Sequence, residues 1–267
     1  MNLPTTWVNG RWIDASQQPA IASEDRGVLH GHGVFETIGA RAGDLPLWRW
    51  HARRLLRGGA RLGLPGEPPP DLRQVASEAV MRSGDPDSIV RITWTAGDGH
   101  IPTFVVATRA RVARPVVRLC VAAMRREGAD ALADVKHTSR AFYSAVLGEA
   151  RARGCDDAVI LDDRDLVLES TTANLFWIGD GEWRTPGGHG AMLAGIARML
   201  LLDAFASRGS AAREGAFSCN ELVGADELCV VNAVYGPRAA TLSEAPVEPL
   251  DSDHPLVRAW CGILDRG

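Results

Sequence analysis

The sequence contains a single lysine, Lys136, although it is rich in basic side chains. Of its 29 lysine and arginine residues, the other 28 are arginine. A guanidinium stays protonated in proteins, whereas a lysine amine can lose its proton when it is desolvated and then attack a carbonyl carbon. Lys136 is therefore a candidate Schiff-base nucleophile, at a position where arginine could not do the same chemistry.

An acidic residue at the end of a predicted strand, Glu169, follows Lys136 by 33 residues. A Schiff base is useful chiefly when the aldehyde belongs to an electron sink, and pyridoxal 5′-phosphate is the common one. The pyridine nitrogen of that cofactor needs an acidic partner in order to stay protonated. Together the two residues suggest a pyridoxal-phosphate site, although an isolated glutamate would be read as an ordinary solvated strand-end carboxylate.

A phosphate-binding element is expected as well. The segment Gly195–Arg198 opens a predicted helix, and the free backbone N–H groups at a helix N-terminus bind anions. Arg54, on an earlier predicted helix, could add a bidentate contact. Glycine before a helix is common and arginines are numerous in this chain, so neither signal identifies a phosphate by itself.

Two histidines, His30 and His32, raise the question of a metal. No third ligand accompanies the pair in the sequence, and the interleaved Gly31 and Gly33 favour a tight turn near a ligand or a partner. The acidic stretch 162–165 is too short for a calcium loop and is predicted to be a hairpin turn. No metal is expected.

The composition argues against several classes of protein. A net charge of −4 and an isoelectric point near 6.0 give no sign of binding to nucleic acid or to an anionic membrane. No apolar run approaches the roughly 20 residues of a spanning helix, and the N-terminus lacks the features of a signal peptide. The five cysteines are odd in number and have no metal-type spacing. A reduced, cytoplasmic protein is expected.

The apolar periodicity predicts a mixture of hairpins, strands and helices. Asn9-Gly10 within TWVNGRWID (6–14) predicts a type I′ hairpin, and Ala42-Gly43-Asp44 a second hairpin turn. Further strands are predicted at 88–97, 103–110, 116–124, 156–163, 166–178 and 226–234, and helices at 49–64, 68–84, 138–154 and 194–209. Regular strand–helix repeats are missing, so a (β/α)8 barrel is not expected. Two domains, 1–107 and 116–267, are predicted to be joined by the arginine-rich linker 108–115.

Seven short segments resemble, in order, those of the fold-type IV pyridoxal-phosphate enzymes, which include branched-chain and D-amino-acid aminotransferases and aminodeoxychorismate lyases. The segments are DRGVLHGHGVFETI (25–38), HARRL (51–55), KHTSR (136–140), LESTTANLFW (168–177), TP (185–186), GIAR (195–198) and VNAVYG (231–236). The resemblance to this class IV aminotransferase family covers nearly the full length of the chain. It implies a two-domain α+β fold that is rich in β-hairpins.

The resemblance also implies roles for individual residues. Lys136 would form the Schiff base with pyridoxal 5′-phosphate, Glu169 would pair with the pyridine nitrogen, and Arg54 would bind the phosphate. The backbone groups that would complete the phosphate site are those of Ile196, Ala197, Asn232 and Ala233.

Within the family, the KH…R and ANLFW segments and the late Asn-Ala dipeptide resemble the lyases. Alanines 197 and 233 stand where D-amino-acid aminotransferases tend to have threonine. The implied reaction converts 4-amino-4-deoxychorismate to 4-aminobenzoate and pyruvate, a step of folate precursor synthesis. Lys136 would remove the α-proton, and formation of the aromatic ring would supply much of the driving force.

The sequence departs from the usual pattern of the family in three places. His32 stands between two glycines where aspartate is usual, and Ser139 stands where asparagine is common. The loop that often carries a carboxylate-binding arginine has Trp94 and Thr95 instead. The substrate carboxylate is then expected to meet one of three side chains, His32, Arg91 or His100. An aminotransferase that acts on D- or branched-chain amino acids, or on amines, with a 2-oxo acid is the alternative.

Two further interpretations stay open, a cofactor-free Schiff-base aldolase and a cofactor-binding relative without activity. The hairpin-rich pattern counts against the first, and the intact pair of Lys136 and Glu169 counts against the second. The resemblance also implies a homodimer in which the N-terminal domain of the partner contributes side chains to each active site. The segment His30–Gly33 is a candidate for that contribution.

Overall fold

The computed structural model describes residues 5–13, 21–112, 114–128, 130–187, 192–244 and 246–266. The chain divides into two compact units, of which the first comprises Met1–Val112 with Val135–Arg140 and the second Ala113–Asp134 with Ala141–Gly267. The residues around Lys136 therefore belong to the first unit, although they fall in the range predicted for the C-terminal domain. Asp14 of the predicted hairpin and Ala113 of the predicted linker lie outside the described residues.

The first unit is built on an antiparallel sheet. Its strands among the described residues are β1 (Thr6–Val8), β2 (Arg11–Ile13), β3 (Gly33–Gly39), β4 (Ile89–Thr95) and β5 (Thr103–Arg109), in the order β2-β1-β5-β4-β3. The hairpin predicted at Asn9-Gly10 is confirmed, because these residues have the positive φ values of a type I′ turn, 44° and 88°. β5 continues through Arg109 and so occupies the start of the predicted linker.

Three helices of this unit lie in the described part of the chain, α1 (Arg26–His30), α2 (Trp48–Leu62) and α3 (Leu72–Ser83). The last two confirm predicted helices, and both end at a glycine with positive φ, Gly63 and Gly84. α2 approaches β4 closely, since a Cβ added at Gly59 would lie 2.1 Å from the ring of Trp94. Glycine at this position lets the helix that carries Arg54 pack against the sheet.

The second predicted hairpin forms only its turn. Ala42 and Gly43 have positive φ values, and Arg41 forms an isolated bridge with Asp44. The prediction of a return strand after this turn was wrong, because β3 has β4 as its antiparallel neighbour and the chain enters α2 at Trp48.

The second unit contains a larger, mixed sheet. Its described strands are β6 (Val116–Arg126), β7 (Asp157–Asp162), β8 (Val167–Ser170), β9 (Asn174–Gly179), β10 (Glu182–Pro186), β11 (Ala212–Gly215), β12 (Glu227–Asn232) and β13 (Gly236–Thr241). They lie in the order β11-β10-β9-β12-β13-β6-β7-β8, with β6 parallel to both of its neighbours. The helices described in this unit are α4 (Ala141–Ala152), α5 (Ile196–Ala206), α6 (Cys219–Val223) and α7 (Pro255–Leu264).

Side chains of β7 alternate between the two faces of this sheet, as the period of a strand requires. Val159 and Leu161 face a core that includes Trp177, whereas Ala158 and Ile160 face a second core to which α4 contributes. β7 is thus buried on both faces. This packing fixes α4 over the sheet beside β8.

The strand predicted at 166–178 is in fact two strands, β8 and β9. The chain turns between them at Thr171 and Thr172, because the buried carboxylate of Asp157 accepts hydrogen bonds from both residues. These come from Thr171 N (3.0 Å), Thr171 Oγ1 (2.6 Å) and Thr172 Oγ1 (2.9 Å). The sequence also did not predict α1, α6, α7, β10, β11 or β13, all of which except α7 have six residues or fewer.

The predicted α+β class is confirmed, and the arrangement of the strands in sheets differs from a (β/α)8 barrel, as expected. None of the helices in the described residues combines the length and apolarity needed to cross a membrane. All five cysteines carry free thiols.

Candidate active site

Lys136 lies in a segment that pairs with β3 of the first unit. The Phe35 N–H donates to the Lys136 carbonyl (2.9 Å), and the Thr138 N–H donates to the Gly33 carbonyl (2.8 Å). The Thr138 hydroxyl donates to the Gly31 carbonyl (2.7 Å). These bonds hold the backbone around Lys136, whose amine lies 4.7 Å from the centre of the Phe35 ring.

Two arginines share the Phe35 ring with Lys136. The guanidinium carbon of Arg91, on β4, lies 3.7 Å from the ring centre, and that of Arg140 lies 6.0 Å from it. Burial, together with the positive charges of Arg140 and Arg109, lowers the pKa of Arg91 to about 10. Arg91 therefore stays protonated at neutral pH. Three like charges around one ring form a region that an anion would stabilise.

The other two side chains predicted to meet a substrate carboxylate have different surroundings. His32 Nε2 donates to the Leu62 carbonyl (2.9 Å) at the end of α2. His100 is exposed in the loop between β4 and β5, and its backbone N–H donates to Asp98 (2.8 Å). Of the three, Arg91 is the one that the structure brings to the ring beside Lys136.

Arg54 is held by a buried carboxylate, Glu36, that the sequence did not single out. Nε and Nη2 of Arg54 donate to the two oxygens of Glu36 (2.6 and 2.8 Å), and His51 Nδ1 donates to Oε2 (2.7 Å). Burial opposes ionisation of Glu36, but Arg54 and His51 outweigh burial and lower its pKa to about 2. We call these three residues the Glu36 cluster.

The Glu36 cluster and Lys136 affect each other electrostatically within the first unit. Burial lowers the pKa of His51, the Glu36 carboxylate opposes this change, and the positive charges of Arg54 and Lys136 add to it. The charges of two predicted residues, Arg54 and Lys136, thus act on the same buried histidine.

Glu169, near the end of β8 in the second unit, is only 5% exposed. Its Oε1 accepts from the Tyr143 hydroxyl (3.0 Å) and from Arg126 Nη1 (3.3 Å), and Oε2 accepts from the Leu193 N–H (3.3 Å). Arg126 also donates to Asp130 through Nε (3.1 Å) and Nη2 (2.6 Å). Glu169 is therefore a buried carboxylate among donors and not a solvated strand-end residue. We call these four side chains, Glu169, Tyr143, Arg126 and Asp130, the Glu169 cluster.

The start of α5 offers backbone donors to an anion. Gly195 precedes the helix and has no side chain to cap the first amides, which belong to Ile196 and Ala197. A Cβ added at Gly195 would lie 1.9 Å from Asn174 Oδ1, so the close approach requires glycine. Asn174 Nδ2 also donates to the Leu193 carbonyl (3.0 Å) and so ties the loop before α5 to β9.

Arg198, the last residue of the GIAR segment, is buried and fixes the first turn of α5. Its Nη2 donates to the Pro186 carbonyl (2.6 Å) and to Glu214 (2.5 Å), and its Nε donates to Thr185 Oγ1 (3.1 Å). These contacts join α5 to β10 and β11. They hold the amides at the helix start in place.

Asn232 and Ala233 lie at the turn between β12 and β13. Asn232 Oδ1 accepts from the N–H groups of Val234 (3.1 Å) and Tyr235 (2.9 Å), and Nδ2 donates to the Thr172 carbonyl (3.3 Å). The Asn232 side chain is thus used to build the turn. A contact between this turn and a phosphate would come from backbone N–H groups.

The sequence reasoning missed the side chains that hold the predicted ones, namely Glu36, His51, Arg126, Asp130 and Tyr143. The only signals available were local. His51 lies one helical turn before Arg54, and Arg126 lies four residues before Asp130. Glu36 and Tyr143 reach their partners through the fold, and no sequence spacing indicates those contacts.

One group of described residues, Glu227, Cys229 and His254, has the ligand types of a metal site. His254 Nδ1 accepts from the Leu256 N–H (3.3 Å) as the cap of α7, so its Nε2 carries the proton that it donates to Glu227 (2.5 Å). The Cys229 thiol also donates to Glu227 (3.5 Å), and burial raises its pKa. A metal ion here would have to displace the protons of His254 Nε2 and of the Cys229 thiol, and His254 already serves as the cap of α7.

Comparison with known proteins identifies the family. Residues 33–241 match the model of the amino-transferase class IV family, and the chain belongs to this family. The chain is 29% identical over 258 residues to the aminodeoxychorismate lyase of Vibrio harveyi, covering 90% of this chain and 93% of the relative. It is 26% identical over 187 residues to a bifunctional aminodeoxychorismate lyase / D-amino acid transaminase of Mycobacterium tuberculosis, covering 61% and 63%.

Among solved structures, the branched-chain amino acid aminotransferase of Escherichia coli has a TM-score of 0.85 at 19% identity, covering 97% of this chain and 94% of that chain. The fold is therefore that of the fold-type IV enzymes, as the sequence resemblance implied. The chain is a pyridoxal-phosphate-dependent enzyme of this class.

The described side chains fit this cofactor. The first unit supplies a primary amine, Lys136, beside an aromatic ring, and the second supplies a buried carboxylate, Glu169, and the uncapped amides at the start of α5. An aldehyde, a pyridine nitrogen and a phosphate need these three kinds of group. The donor set in each unit thus matches one part of the cofactor.

Proposed function

We propose that this enzyme converts 4-amino-4-deoxychorismate to 4-aminobenzoate and pyruvate. The observation that carries the proposal is the group of three cations around Phe35, namely Lys136, Arg91 and Arg140. The substrate has two carboxylates and one amino group, and two arginines beside a primary amine suit that combination. A branched-chain amino acid has one carboxylate and an apolar side chain, which this region suits less well. The similarity to the Vibrio harveyi lyase supports the same reaction.

In the proposed reaction, bound pyridoxal phosphate supplies the electron sink for the carbanion. Lys136 would hold the cofactor aldehyde, and its amine would take the proton from the ring carbon that carries the substrate amine. The bond between the neighbouring ring carbon and the enolpyruvyl oxygen then breaks, which leaves an aromatic ring. The enolpyruvate takes up a proton and becomes pyruvate.

The remaining residues of the proposed site bind and orient the cofactor. Glu169 keeps the pyridine nitrogen protonated, and Arg54 binds the phosphate. Backbone groups also proposed to bind the phosphate are those of Ile196, Ala197, Asn232 and Ala233. The Glu36 carboxylate holds Arg54 for this contact.

The experiment that tests the reaction is an assay of the holoenzyme with 4-amino-4-deoxychorismate and without any 2-oxo acid. We expect equal amounts of 4-aminobenzoate, followed by its fluorescence, and of pyruvate, followed with lactate dehydrogenase. Many turnovers per enzyme should occur with an unchanged cofactor spectrum at the end. Absence of both products, while the protein binds its cofactor, would overturn the proposed reaction.

An aminotransferase is the second candidate, and the bifunctional relative of Mycobacterium tuberculosis is the observation that favours it. Transamination leaves the amino group on the cofactor, whereas elimination returns the cofactor to its starting form. A panel of D- and L-amino acids added to the yellow holoenzyme separates the two. Bleaching by one amino acid, reversed by a 2-oxo acid, would identify an aminotransferase.

A homodimer is part of the proposal, and exposed apolar side chains of the first unit support it. Val28 and Leu29 on α1 are 64% and 58% exposed, and Ile101 in the loop between β4 and β5 is 68% exposed. Light scattering coupled to gel filtration should give twice the monomer mass of 28.6 kDa. Leu29→Asp should yield monomers, whereas Met81→Asp, at the equally exposed Met81 of α3, should not. A cytoplasmic location stays a prediction of the sequence.

A further inference from the structure

We propose that Arg126, Tyr143 and Asp130 are positioning residues that fix the Glu169 carboxylate and set the negative charge that it presents to the pyridine nitrogen of the cofactor. The proposal rests on the role of Glu169 in the proposed function. It is independent of which reaction the enzyme catalyses, because lyases and aminotransferases of this family share the cofactor.

The donors around Glu169 fix the position of its carboxylate. Arg126 and Tyr143 both donate to Oε1, and Arg126 Nη1 also donates to the Tyr143 hydroxyl. All three side chains are at least nine-tenths buried. An arginine has no acceptor atom, so the direction of these bonds is fixed and the tyrosine passes its own proton toward the carboxylate. The arrangement suits a carboxylate and not a protonated carboxylic acid.

Asp130 changes the charge balance around Glu169. An arginine paired with Glu169 alone would cancel the charge that a protonated pyridine nitrogen needs. Here the other edge of Arg126 is occupied by Asp130, through Nε and Nη2. Burial disfavours the charged guanidinium, but Tyr143, Asp130 and Glu169 together outweigh burial and raise the pKa of Arg126. Two carboxylates, Glu169 and Asp130, thus face the same guanidinium, and Asp130 offsets the positive charge of Arg126 beside Glu169.

The division of labour between the three residues follows from these contacts. Tyr143 and Arg126 restrain the position of the Glu169 carboxylate, because they donate to the same oxygen. Asp130 accepts its hydrogen bonds from Arg126, and it acts by offsetting the positive charge of that residue. Removal of the Asp130 charge should therefore reduce the negative charge that acts on the pyridine nitrogen and leave the donors of Glu169 in place.

The test is the 15N chemical shift of holoenzyme reconstituted with pyridoxal phosphate that is 15N-labelled at the ring nitrogen. Asp130→Asn should move the resonance toward that of an unprotonated pyridine, with roughly tenfold lower proton affinity, the effect of one unit charge about 12 Å away at an effective dielectric constant of about 20. Tyr143→Phe removes a donor that draws charge from Glu169 Oε1, so it should move the resonance in the opposite direction and by less. Glu169→Gln sets the unprotonated limit.

The matched control is Glu78→Gln, which removes one carboxylate from an exposed i,i+4 pair with Arg82 and should leave the resonance unchanged. If Glu169→Gln shifts the resonance but Asp130→Asn and Tyr143→Phe do not, the positioning role is overturned while Glu169 keeps its role. If Glu169→Gln shifts nothing, Glu169 is not the partner of the pyridine nitrogen and both ideas fail. The lyase assay does not enter this readout, so its failure would be seen separately.

Discussion

The two units each bury a glutamate against an arginine, but the two pairs leave different charges behind. In the first unit, Glu36 accepts from Arg54 and His51 on both of its oxygens, and its charge is matched locally. In the second unit, Arg126 is shared between Glu169 and Asp130, so the acids outnumber the arginine. The first pair fixes the position of an arginine, whereas the second sets two carboxylates against one arginine.

The strongest test of the first unit is Lys136→Ala. The chain has no other lysine, so no side-chain amine can take over the Schiff base or the proton transfer. We expect turnover to fall by at least about a thousandfold, the upper part of the range for loss of a catalytic base. Thermal unfolding should be little changed, since the residue is only partly buried. Activity close to that of the wild type would contradict the assignment of Lys136.

The next largest expected effect is on the free energy of unfolding. Glu36→Gln removes the buried carboxylate that faces buried His51 and partly buried Arg54, and breaking a buried ion pair typically reduces the free energy of unfolding by roughly 3–5 kcal/mol. Urea unfolding followed by circular dichroism measures the change. Glu78→Gln, in an exposed pair with Arg82, serves as the control and should change stability by about 0.5 kcal/mol or less. An equal loss in both variants would show that the Glu36 cluster is not special.

The Glu36 cluster also predicts how stability depends on pH. The pKa of Glu36 falls from 4.5 in an unfolded chain to about 2 in the folded protein. A lowered pKa contributes stability that is present above pH 4.5 and is lost as pH falls from there toward 2. The contribution is roughly 3 kcal/mol, from the free energy that corresponds to this pKa difference. Glu36→Gln should remove that part of the acid sensitivity.

For the second unit, the largest expected effect of Glu169→Ala is on turnover. Turnover should fall about a hundredfold, within the range for loss of one electrostatic partner in an active site. Some cofactor should stay bound, because Lys136 and the phosphate-binding groups are unchanged. Absorption spectra of the purified variant measure the bound cofactor. Unchanged kinetics would remove Glu169 from the site.

The sequence predicted those parts of the site whose residues lie in short, ordered motifs. Lys136, Glu169 and the start of α5 could be named because each lies in a recognisable segment. The contacts of Glu36 with Arg54 and of Tyr143 with Glu169 could not, because they depend on how a strand and a helix pack. The turn at Thr171 and Thr172 was missed for the same reason, since it is fixed by Asp157 on another strand.

The smallest expected effect is on KM, and it concerns the cations around Phe35 in the first unit. Arg91→Gln keeps a polar side chain near Phe35 but removes the charge proposed to meet a substrate carboxylate. We expect KM for 4-amino-4-deoxychorismate to rise about tenfold or more, as for loss of a hydrogen bond to a charged group, with little change in kcat. Arg73→Gln removes the same charge from an exposed position on α3 and should leave KM unchanged. A KM that is equal in both variants would place the carboxylate elsewhere.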